Sequence, residues 1–459
     1  MTAGGLVKAG VTTGQPKVYL VFYGSQWGTE TTTGSGTATF SHDPDALAPA
    51  LQALYGGLGT DGEQWSGIVT QYCDGVAVGA STCTSSSANI PYPTGGVLAG
   101  VWYDNSDGAT AGATAGATGH QLAAEAEAAA SHFGNTDQAS NRDAQYVIAS
   151  PTGSNPDGWA NPTNGYCAYH DDTHDSSIDG GSAVAGPILA FTNMPYVPDA
   201  GFGCGAGSVN SPGTLDGATE AASHEYGETL TDQFPENYPP GGWSDIVGAE
   251  NGDLCAYISA PNAGAAYNLT LATGTVAVQG LWSNAANARK GGCVQGAPVA
   301  TYPPTIASFT PAAAPAGATV SITGVNLSGA TAVTFHGMPA TVVGDTGTVV
   351  VAVVPAGATK GPLSVQTPSG TASSAKSFTP QPTVVSFSPA SGPVGTTVTI
   401  SGSGLASAKK VTVNGKKATI VSDSAVQLVV IVPAKASSGL LMVQAVGGTA
   451  FSVSPFTVT

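Results

Sequence analysis

The sequence predicts a multidomain protein with an α/β domain at residues 1–299, followed by two all-β domains at residues 300–380 and 381–459. Three observations support this prediction. Apolar runs alternate with helix-like segments before residue 299, as is typical of α/β domains. After residue 299 a pattern of residues recurs once, 78 positions later. All six cysteines precede Val294, so the composition of the chain also changes near this boundary.

Strand and helix signals alternate in the N-terminal domain. Three compact apolar runs predict strands, at residues 18–24, 97–103 and 145–150. Three segments have the composition and spacing of helices, at residues 43–58, 120–133 and 216–231. The first helix follows an Asp-Pro start and the third stops before Pro235, and both are typical helix boundaries. Residues 108–119 repeat Ala, Gly and Thr, which predicts a flexible surface loop.

The C-terminal part contains two copies of one pattern. The recurring residues are Phe309, Pro311, Gly324, Val354 and Pro355, matched by Phe387, Pro389, Gly402, Val432 and Pro433. Each copy consists of short alternating strands separated by Gly, Pro and Asn turns, which predicts a small β-sandwich. The pattern resembles the immunoglobulin-like IPT/TIG module. That resemblance implies a binding or spacer role for both domains.

Charge is unevenly distributed along the chain. The whole chain carries −17 at pH 7, yet the residues from Ala300 onward carry +5, which leaves −22 on the first 299 residues. Such an acidic body repels nucleic acid and anionic membranes, so we expect neither as a partner. Only 9% of the residues are charged. Because few ion pairs can be lost when carboxylates become protonated, we expect the fold to tolerate acid.

Six cysteines in a chain rich in Gly and Ser indicate disulfide bonds, and hence a secreted, extracellular protein. None of them forms a Cys-x-x-Cys metal motif. Of the possible pairings we expect the nearest-neighbour set, which is Cys73–Cys83, Cys167–Cys204 and Cys255–Cys293. No apolar run approaches the ~20 residues that a membrane span needs. The N-terminus lacks a basic-then-apolar signal, so we expect a mature chain whose export peptide has been removed.

The main chemical signal is the run His224-Glu225-Tyr226-Gly227-Glu228. On a helix, His224 and Glu228 share one face and can hold a metal ion, while Glu225 lies beside them. Glu225 could then take a proton from a water molecule, as the Glu of a zinc hydrolase helix does. Residues 224–253 contain seven carboxylates and no Lys or Arg. A bound cation explains this composition better than a salt-bridged surface.

A second acidic segment follows, Glu250-Asn251-Gly252-Asp253-Leu254-Cys255. Together the two segments resemble the site of thermolysin-like zinc proteases, although Glu228 stands where that family has His. The resemblance implies that His224, Glu228 and Glu250 bind Zn²⁺. It implies that Asp253 either fixes the His224 tautomer or is a further ligand, and that Glu225 is the general base. Because two ligands are carboxylates, we expect weaker selectivity for zinc than at a two-His site.

A third polar group is the run from Tyr169 to Asp175, which contains His170, His174 and three aspartates. Three interpretations remain open. The run could be an acidic loop tethered by a disulfide at Cys167. Alternatively, His170 could line the active site as an oxyanion stabiliser or an additional ligand. Finally, the aspartates could bind Ca²⁺, although their spacing differs from that of an EF-hand.

Residues 16–298 resemble the exordium/phosphate-induced protein family, and its secreted bacterial relatives are the closer likeness. The segments that carry the resemblance are residues 146–153, 166–170, 223–228, 250–255 and 281–284. The resemblance implies an extracellular protein with a zincin-like motif and a zincin-like α/β domain. Plant members of the family are discussed as cell-wall growth proteins, so membership does not by itself imply peptidase activity.

Three functions follow as expectations. The first is a secreted zinc endopeptidase with a protein or peptide substrate, whose C-terminal domains bind the substrate or an extracellular polymer. The second is a non-catalytic extracellular or cell-wall binding protein with a structural metal site. The third is a metal-free carboxyl peptidase in which Glu225 and Glu228 form a pair that shares one proton. Glu225 favours the first function because a structural site needs no base, whereas Glu228 in place of His argues against it.

Overall fold

A computed structural model describes residues 10–76, 80, 82–84, 87–106, 116–159, 165–178, 180, 186–235, 242–245 and 247–459. Residues 108–115 of the predicted loop, and Glu236 of the acidic segment, lie outside the described residues. The chain divides into two compact units, Met1–Thr301 and Tyr302–Thr459. No helix among the described residues has the length and apolar character needed to cross a membrane.

The N-terminal unit contains both strands and helices. Its strands are β1 Lys17–Tyr23, β2 Glu30–Thr32, β3 Ala38–Phe40, β4 Cys73–Asp74, β5 Ala88–Asn89, β6 Leu98–Asp104, β7 Ala144–Ala149, β8 Tyr169–Asp172, β9 Ala190–Met194, β10 Tyr267–Leu271, β11 Gly274–Val278, β12 Leu281–Ser283 and β13 Gly292–Val294. Its helices are α1 Leu47–Gly57, α2 Gly119–His132, α3 Asp216–Thr231 and the one-turn α4 Ala286–Arg289. Short 3-10 turns lie at Ser25–Trp27, Val69–Gln71, Pro156–Gly158, Val197–Cys204 and Asp253–Cys255.

A five-stranded sheet with the order β6-β1-β7-β9-β8 forms the centre of this unit. The first four strands are parallel, and β8 pairs antiparallel with β9 at the edge, where His170 lies opposite Thr192. Helices cover both faces of the sheet. Leu20 of β1 packs in a core with α1 and α3, whereas Val21 packs on the other face with α2. Strands β7 and β9 are therefore buried along their whole length, as parallel strands between helical layers must be.

The predicted strands and helices of the N-terminal unit are present, with small shifts. The helix predicted from residue 43 begins at Leu47, because the Asp43 carboxylate accepts the free N–H groups of Leu47 and Ala48 at 2.9 Å each. Helix α3 has the predicted bounds. Strand β8 was not predicted, because its sequence Tyr-His-Asp-Asp has no strand-like apolar pattern. Its pairing with β9 makes it a strand.

The three predicted disulfide pairings are confirmed, with Cα–Cα separations of 5.6 to 6.0 Å. Cys167–Cys204 joins the residues before β8 to the 3-10 turn that precedes α3. Cys255–Cys293 joins the segment after α3 to β13. Two of the disulfides therefore tether the segments next to the candidate site residues.

The C-terminal unit consists of strands that form two separate cores. The strands are β14 Thr305–Thr310, β15 Ala313–Ala314, β16 Thr319–Val325, β17 Ala332–Phe335, β18 Met338–Asp345, β19 Val349–Val353, β20 Gly361–Thr367, β21 Gly370–Pro380, β22 Thr383–Ser388, β23 Ser391–Gly392, β24 Thr397–Ser403, β25 Lys410–Val413, β26 Lys416–Lys417, β27 Thr419–Asp423, β28 Gln427–Ile431, β29 Gly439–Ala445 and β30 Gly448–Val458. Buried and exposed residues alternate along β20 and β29, as in sheets with one face towards a core. The two all-β domains predicted from the repeat are confirmed.

Candidate metal-binding site

Helix α3 carries the His224–Glu228 run and is buried around most of its circumference. The side chain of Gln145 on β7 donates hydrogen bonds to Thr229 Oγ1 at 2.8 Å and to the Glu225 carbonyl at 3.4 Å, which ties the helix to the sheet. His224 and Glu228 lie one turn apart on the same face, with Nε2 3.0 Å from Oε1. The helix thus presents the predicted pair to one small volume.

Strand β8 brings His170 to the same place. Its Nδ1 lies 3.5 Å from Glu225 Oε2 and 3.6 Å from Glu228 Oε2, and its Nε2 lies 3.7 Å from Glu250 Oε1. The side chains of His170, Glu225 and Glu228 are only 3%, 6% and 4% exposed. Of the interpretations left open for His170, the geometry supports a position inside the site rather than in a solvated acidic loop.

The segment after α3 closes the site from another side. The N–H of Asp253 donates to Glu228 Oε1 at 2.9 Å, and the N–H of Trp282 donates to the Asn251 carbonyl at 2.8 Å. A Cβ at Gly252 would lie 2.8 Å from Glu228 Oε1 and 3.0 Å from the His224 ring. Glycine is therefore needed here for the backbone to approach both side chains.

In each histidine, one ring nitrogen contacts a carbonyl oxygen and the other faces carboxylates, although in His170 the first nitrogen, Nε2, also lies 3.7 Å from Glu250 Oε1. His170 Nε2 lies 3.1 Å from the Asp232 carbonyl, which can only accept, so this nitrogen carries a proton. His224 Nδ1 lies 3.2 Å from Gln279 Oε1, and the Gln279 amide is oriented by its N–H bond to the Gly252 carbonyl at 2.7 Å. The nitrogens that face the carboxylates then need either a second proton or a metal ion. Metal-binding histidines have this arrangement.

The sequence predicts one of two roles for Asp253, either fixing the His224 tautomer or acting as a further ligand. At Nδ1 of His224 the hydrogen-bond partner is Gln279. Asp253 Oδ1 instead lies 3.7 Å from Nε2, on the side that faces Glu228. Gln279 was missed because it comes 55 residues after His224 and belongs to no motif. Of the two predicted roles, this position is compatible with the ligand role.

Two carboxylates of the site, Glu250 and Glu228, have strongly shifted pKa values. Burial raises the pKa of Glu250 to about 9. Burial also acts to raise the pKa of Glu228, but the two histidines outweigh it and hold that pKa well below the usual value. For His224, burial lowers the pKa, yet the negative charge of Glu228 outweighs it and raises the pKa to about 10. Among the described residues, no Lys or Arg lies within ion-pair distance of these carboxylates, so the site attracts cations.

Within the part of the chain that the structure describes, potential ligand atoms form two triads, in each of which all atoms lie within 4.8 Å of one another. One triad is His170, Glu228 and Glu250, and the other is His224, Glu225 and Glu228. The predicted ligand set of His224, Glu228 and Glu250 is therefore not itself one of these triads. Glu228 belongs to both triads, whereas His224 belongs to one and Glu250 to the other, together with His170. The three aspartates of the run after His170 belong to neither triad. Asp171 and Asp172 accept hydrogen bonds from backbone N–H groups of their own segment.

Comparison with known proteins identifies the C-terminal domains. The IPT/TIG domain model matches residues 304–380 and 382–459, which confirms the predicted pair of IPT/TIG domains. The comparison with curated proteins finds no match. The resemblance of residues 16–298 to the exordium/phosphate-induced family stays a prediction.

Three solved structures illustrate the structural matches. A surface glycan-binding protein from Prevotella bryantii is 18% identical over 33% of this chain and 42% of its own, with a TM-score of 0.24. SGBP-B from a xyloglucan utilization locus in Bacteroides uniformis is 21% identical over 34% of this chain and 49% of its own, with a TM-score of 0.18. An auxiliary nutrient binding protein from Bacteroides thetaiotaomicron is 24% identical over 17% of this chain and 21% of its own, with a TM-score of 0.16. The chain therefore spans less than half the length of each of these proteins.

Proposed function

We propose that the N-terminal unit is a zincin-like, metal-dependent hydrolase that cleaves peptide bonds outside the cell. The observation that carries this proposal is the placement of Glu225. Its carboxylate is buried, lies 3.5 Å from His170 Nδ1 and forms a triad with His224 and Glu228. A purely structural metal site has no use for an additional carboxylate next to its ligands. The three disulfides support an extracellular location.

The donor set favours zinc over calcium. Histidine nitrogens are common zinc ligands, whereas calcium takes oxygen ligands almost throughout. A zinc ion at this place would lower the pKa of a bound water molecule and polarise a substrate carbonyl. Glu225 is placed to accept the proton that the water releases. Because His170 Nε2 holds its proton on the Asp232 carbonyl, Nδ1 is left to act as a ligand rather than as a donor to an oxyanion.

The metal-free carboxyl mechanism is less well supported. It needs Glu225 and Glu228 to share one proton, which requires a raised pKa on one of them. The nearby histidines instead hold the pKa of Glu228 well below its usual value. Glu228 therefore stays ionised and serves better as a ligand.

A second candidate is a non-catalytic extracellular binding protein with a structural metal ion. Two observations favour it. His170, Glu225 and Glu228 are almost completely buried, and structural metal sites are closed whereas catalytic sites keep an open position. Two IPT/TIG domains also occupy residues 304–380 and 382–459. In this case the domains would bind an extracellular polymer, for which xyloglucan is a suitable probe.

The test compares wild type, Glu225→Gln and Glu220→Gln, each as the full chain loaded with zinc. Bound zinc is measured by elemental analysis and cleavage is measured with casein between pH 4 and pH 9. We expect Glu225→Gln to keep its zinc but to lose at least about 100-fold in rate, the usual contribution of a general base. Glu220 lies one turn before His224 on α3, outside both triads, so Glu220→Gln is the matched control and should keep the wild-type rate.

Other outcomes select the other candidates. Zinc binding by the wild type without cleavage at any pH, together with retention on a xyloglucan column, would establish the binding protein. Cleavage that survives a chelator but is lost in Glu225→Gln would establish the metal-free mechanism.

A further inference from the structure

We infer that the site holds two divalent metal ions, bridged by the carboxylate of Glu228. This inference rests on the metal binding in the proposed function and extends it from one ion to two. One ion is assigned to His170 and Glu250, and the other ion is assigned to His224 and Asp253. Each ion also binds one carboxylate oxygen of Glu228.

The two oxygens of Glu228 face two different imidazoles. Oε1 lies 3.0 Å from His224 Nε2, and Oε2 lies 3.6 Å from His170 Nδ1. Two donors bound to a single tetrahedral zinc ion, each about 2.1 Å from the metal, are about 3.4 Å apart. Each nitrogen–oxygen pair therefore has about the spacing of two ligands on one ion. The two pairs use different oxygens, so they mark two neighbouring positions.

Each position has a further carboxylate of its own. Glu250 completes the triad with His170 and Glu228, within 4.8 Å. Asp253 Oδ1 lies 3.7 Å from His224 Nε2 and is on the more open side of the site, with its side chain 52% exposed. In both histidines one ring nitrogen lies at hydrogen-bond distance from a carbonyl oxygen, of Asp232 and Gln279 respectively, and in His170 this nitrogen also lies 3.7 Å from Glu250 Oε1. Each imidazole is thus oriented for a separate metal ion.

Charge balance also favours two ions. Glu225, Glu228, Glu250 and Asp253 carry −4 when ionised, and no described Lys or Arg forms an ion pair with them. One divalent ion would leave −2 on a cluster in which Glu225, Glu228 and Glu250 are largely buried and only Asp253 is half exposed, and burying unbalanced charge is costly. Two divalent ions neutralise the four carboxylates.

A bridged pair of ions also fits the position of Glu225. In two-metal hydrolase sites the ions are about 3.5–4 Å apart and stabilise both the attacking and the leaving oxygen. Glu225 Oε2 lies 3.5 Å from His170 Nδ1, and the same carboxylate belongs to the His224 triad. Glu225 therefore faces both positions and can serve a water molecule between them without being a ligand.

The experiment counts metal ions in the full chain. The protein is loaded with zinc, dialysed against a weak chelator and measured by elemental analysis. We expect two zinc ions per chain for wild type, and one each for His170→Asn and His224→Asn. His336 is an exposed histidine of the first IPT/TIG domain, so His336→Asn is the matched control and should keep two.

A second measurement does not depend on how the variants fold. Wild-type protein loaded with Mn²⁺ should give the electron paramagnetic resonance spectrum of two spin-coupled ions. One zinc ion per chain, or a spectrum of isolated Mn²⁺, would overturn the two-ion inference and leave the proposed function standing. No bound zinc at all would overturn both. Two ions in His170→Asn would show that His170 is not a ligand and would overturn the assignment.

Discussion

The two units of this protein bury polar groups to very different extents. In the C-terminal unit, apolar side chains of alternating strands form the cores, and no disulfide is present. In the N-terminal unit, the central strands are buried on both faces, and charged side chains such as Glu225, Glu228 and Glu125 are buried with them. The C-terminal unit therefore depends mainly on apolar packing with a few buried hydroxyl groups, whereas the N-terminal unit also buries charged side chains. The two units should therefore respond differently to pH, to substitution and to reduction.

The largest expected difference is in the response to pH. Burial, together with the nearby charge of Asp104, raises the pKa of Glu125 to about 9. The folded N-terminal unit therefore keeps a proton that the unfolded chain releases above pH 4.5. The resulting stability is fully present below pH 4.5 and is lost as the pH rises to about 9. At about 1.4 kcal/mol per pH unit, the loss between pH 4.5 and about pH 9 amounts to at most about 6 kcal/mol.

Calorimetry at pH 5, 7 and 9 tests this prediction. The transition of the N-terminal unit should move to lower temperature as the pH rises, and Glu125→Gln should flatten that dependence. Glu30 is exposed, so Glu30→Gln should leave the dependence unchanged. The C-terminal unit contains only two carboxylates, Asp345 and Asp423, and its transition should move little. Equal shifts in both units would contradict the comparison. A stability that is greater at low pH is also what the acid tolerance expected from the composition requires.

Apolar packing should dominate the stability of the C-terminal unit. Phe378 is fully buried and packs edge-on against Phe335, with ring centroids 4.9 Å apart. Phe378→Ala should cost about 3–5 kcal/mol of unfolding free energy, because it leaves a cavity in a small core. Phe451 is 59% exposed, so Phe451→Ala should cost less than about 0.5 kcal/mol. Urea unfolding measures both variants, and a similar loss in both would show that the core is not the main source of stability.

Some features of the two units can be predicted from the sequence, whereas others depend on contacts that only the folded chain makes. The repeat, the helix bounds of α3 and the three disulfides were predicted because each depends on a local or regular pattern. The position of His170 was left open because it depends on the pairing of β8 with β9. Gln279 was missed altogether because it reaches His224 only through the folded chain. A local pattern shows which residues can bind a metal, but not which distant residues orient them.

Disulfide removal should affect only the N-terminal unit. Cys255–Cys293 closes a loop with a sequence separation of 38, so replacing both residues by Ala should cost about 2–4 kcal/mol. The same change should weaken zinc binding, because Cys255 holds the segment that carries Glu250 and Asp253. Cys73–Cys83 has a sequence separation of only 10 and tethers none of the candidate ligands, so its removal should leave zinc affinity unchanged. Calorimetry and zinc titration measure the two effects. An equal loss of stability in the C-terminal transition would contradict this prediction.

The smallest expected effect concerns Gln279, which acts through His224. Its Oε1 accepts from His224 Nδ1, and its amide N–H groups donate to the carbonyls of Gly252 and Gly280. Gln279→Ala should therefore lower zinc affinity about 10–100-fold, as the loss of such an orienting partner usually does. Gln295 makes a comparable bond to the Ala265 carbonyl away from the site, so Gln295→Ala should keep the wild-type affinity.

Nuclear magnetic resonance of ¹⁵N-labelled histidine separates positioning from general destabilisation. In zinc-loaded wild type, Nδ1 of His224 should carry the proton and Nε2 should not, because Gln279 accepts from Nδ1. Gln279→Ala should allow the other tautomer, and the Nδ1 proton signal should be lost or broadened. A weaker affinity with an unchanged tautomer would mean that Gln279 only supports the fold. A changed tautomer would mean that buried polar contacts in this unit position chemical groups, a role that the apolar cores of the C-terminal unit do not have.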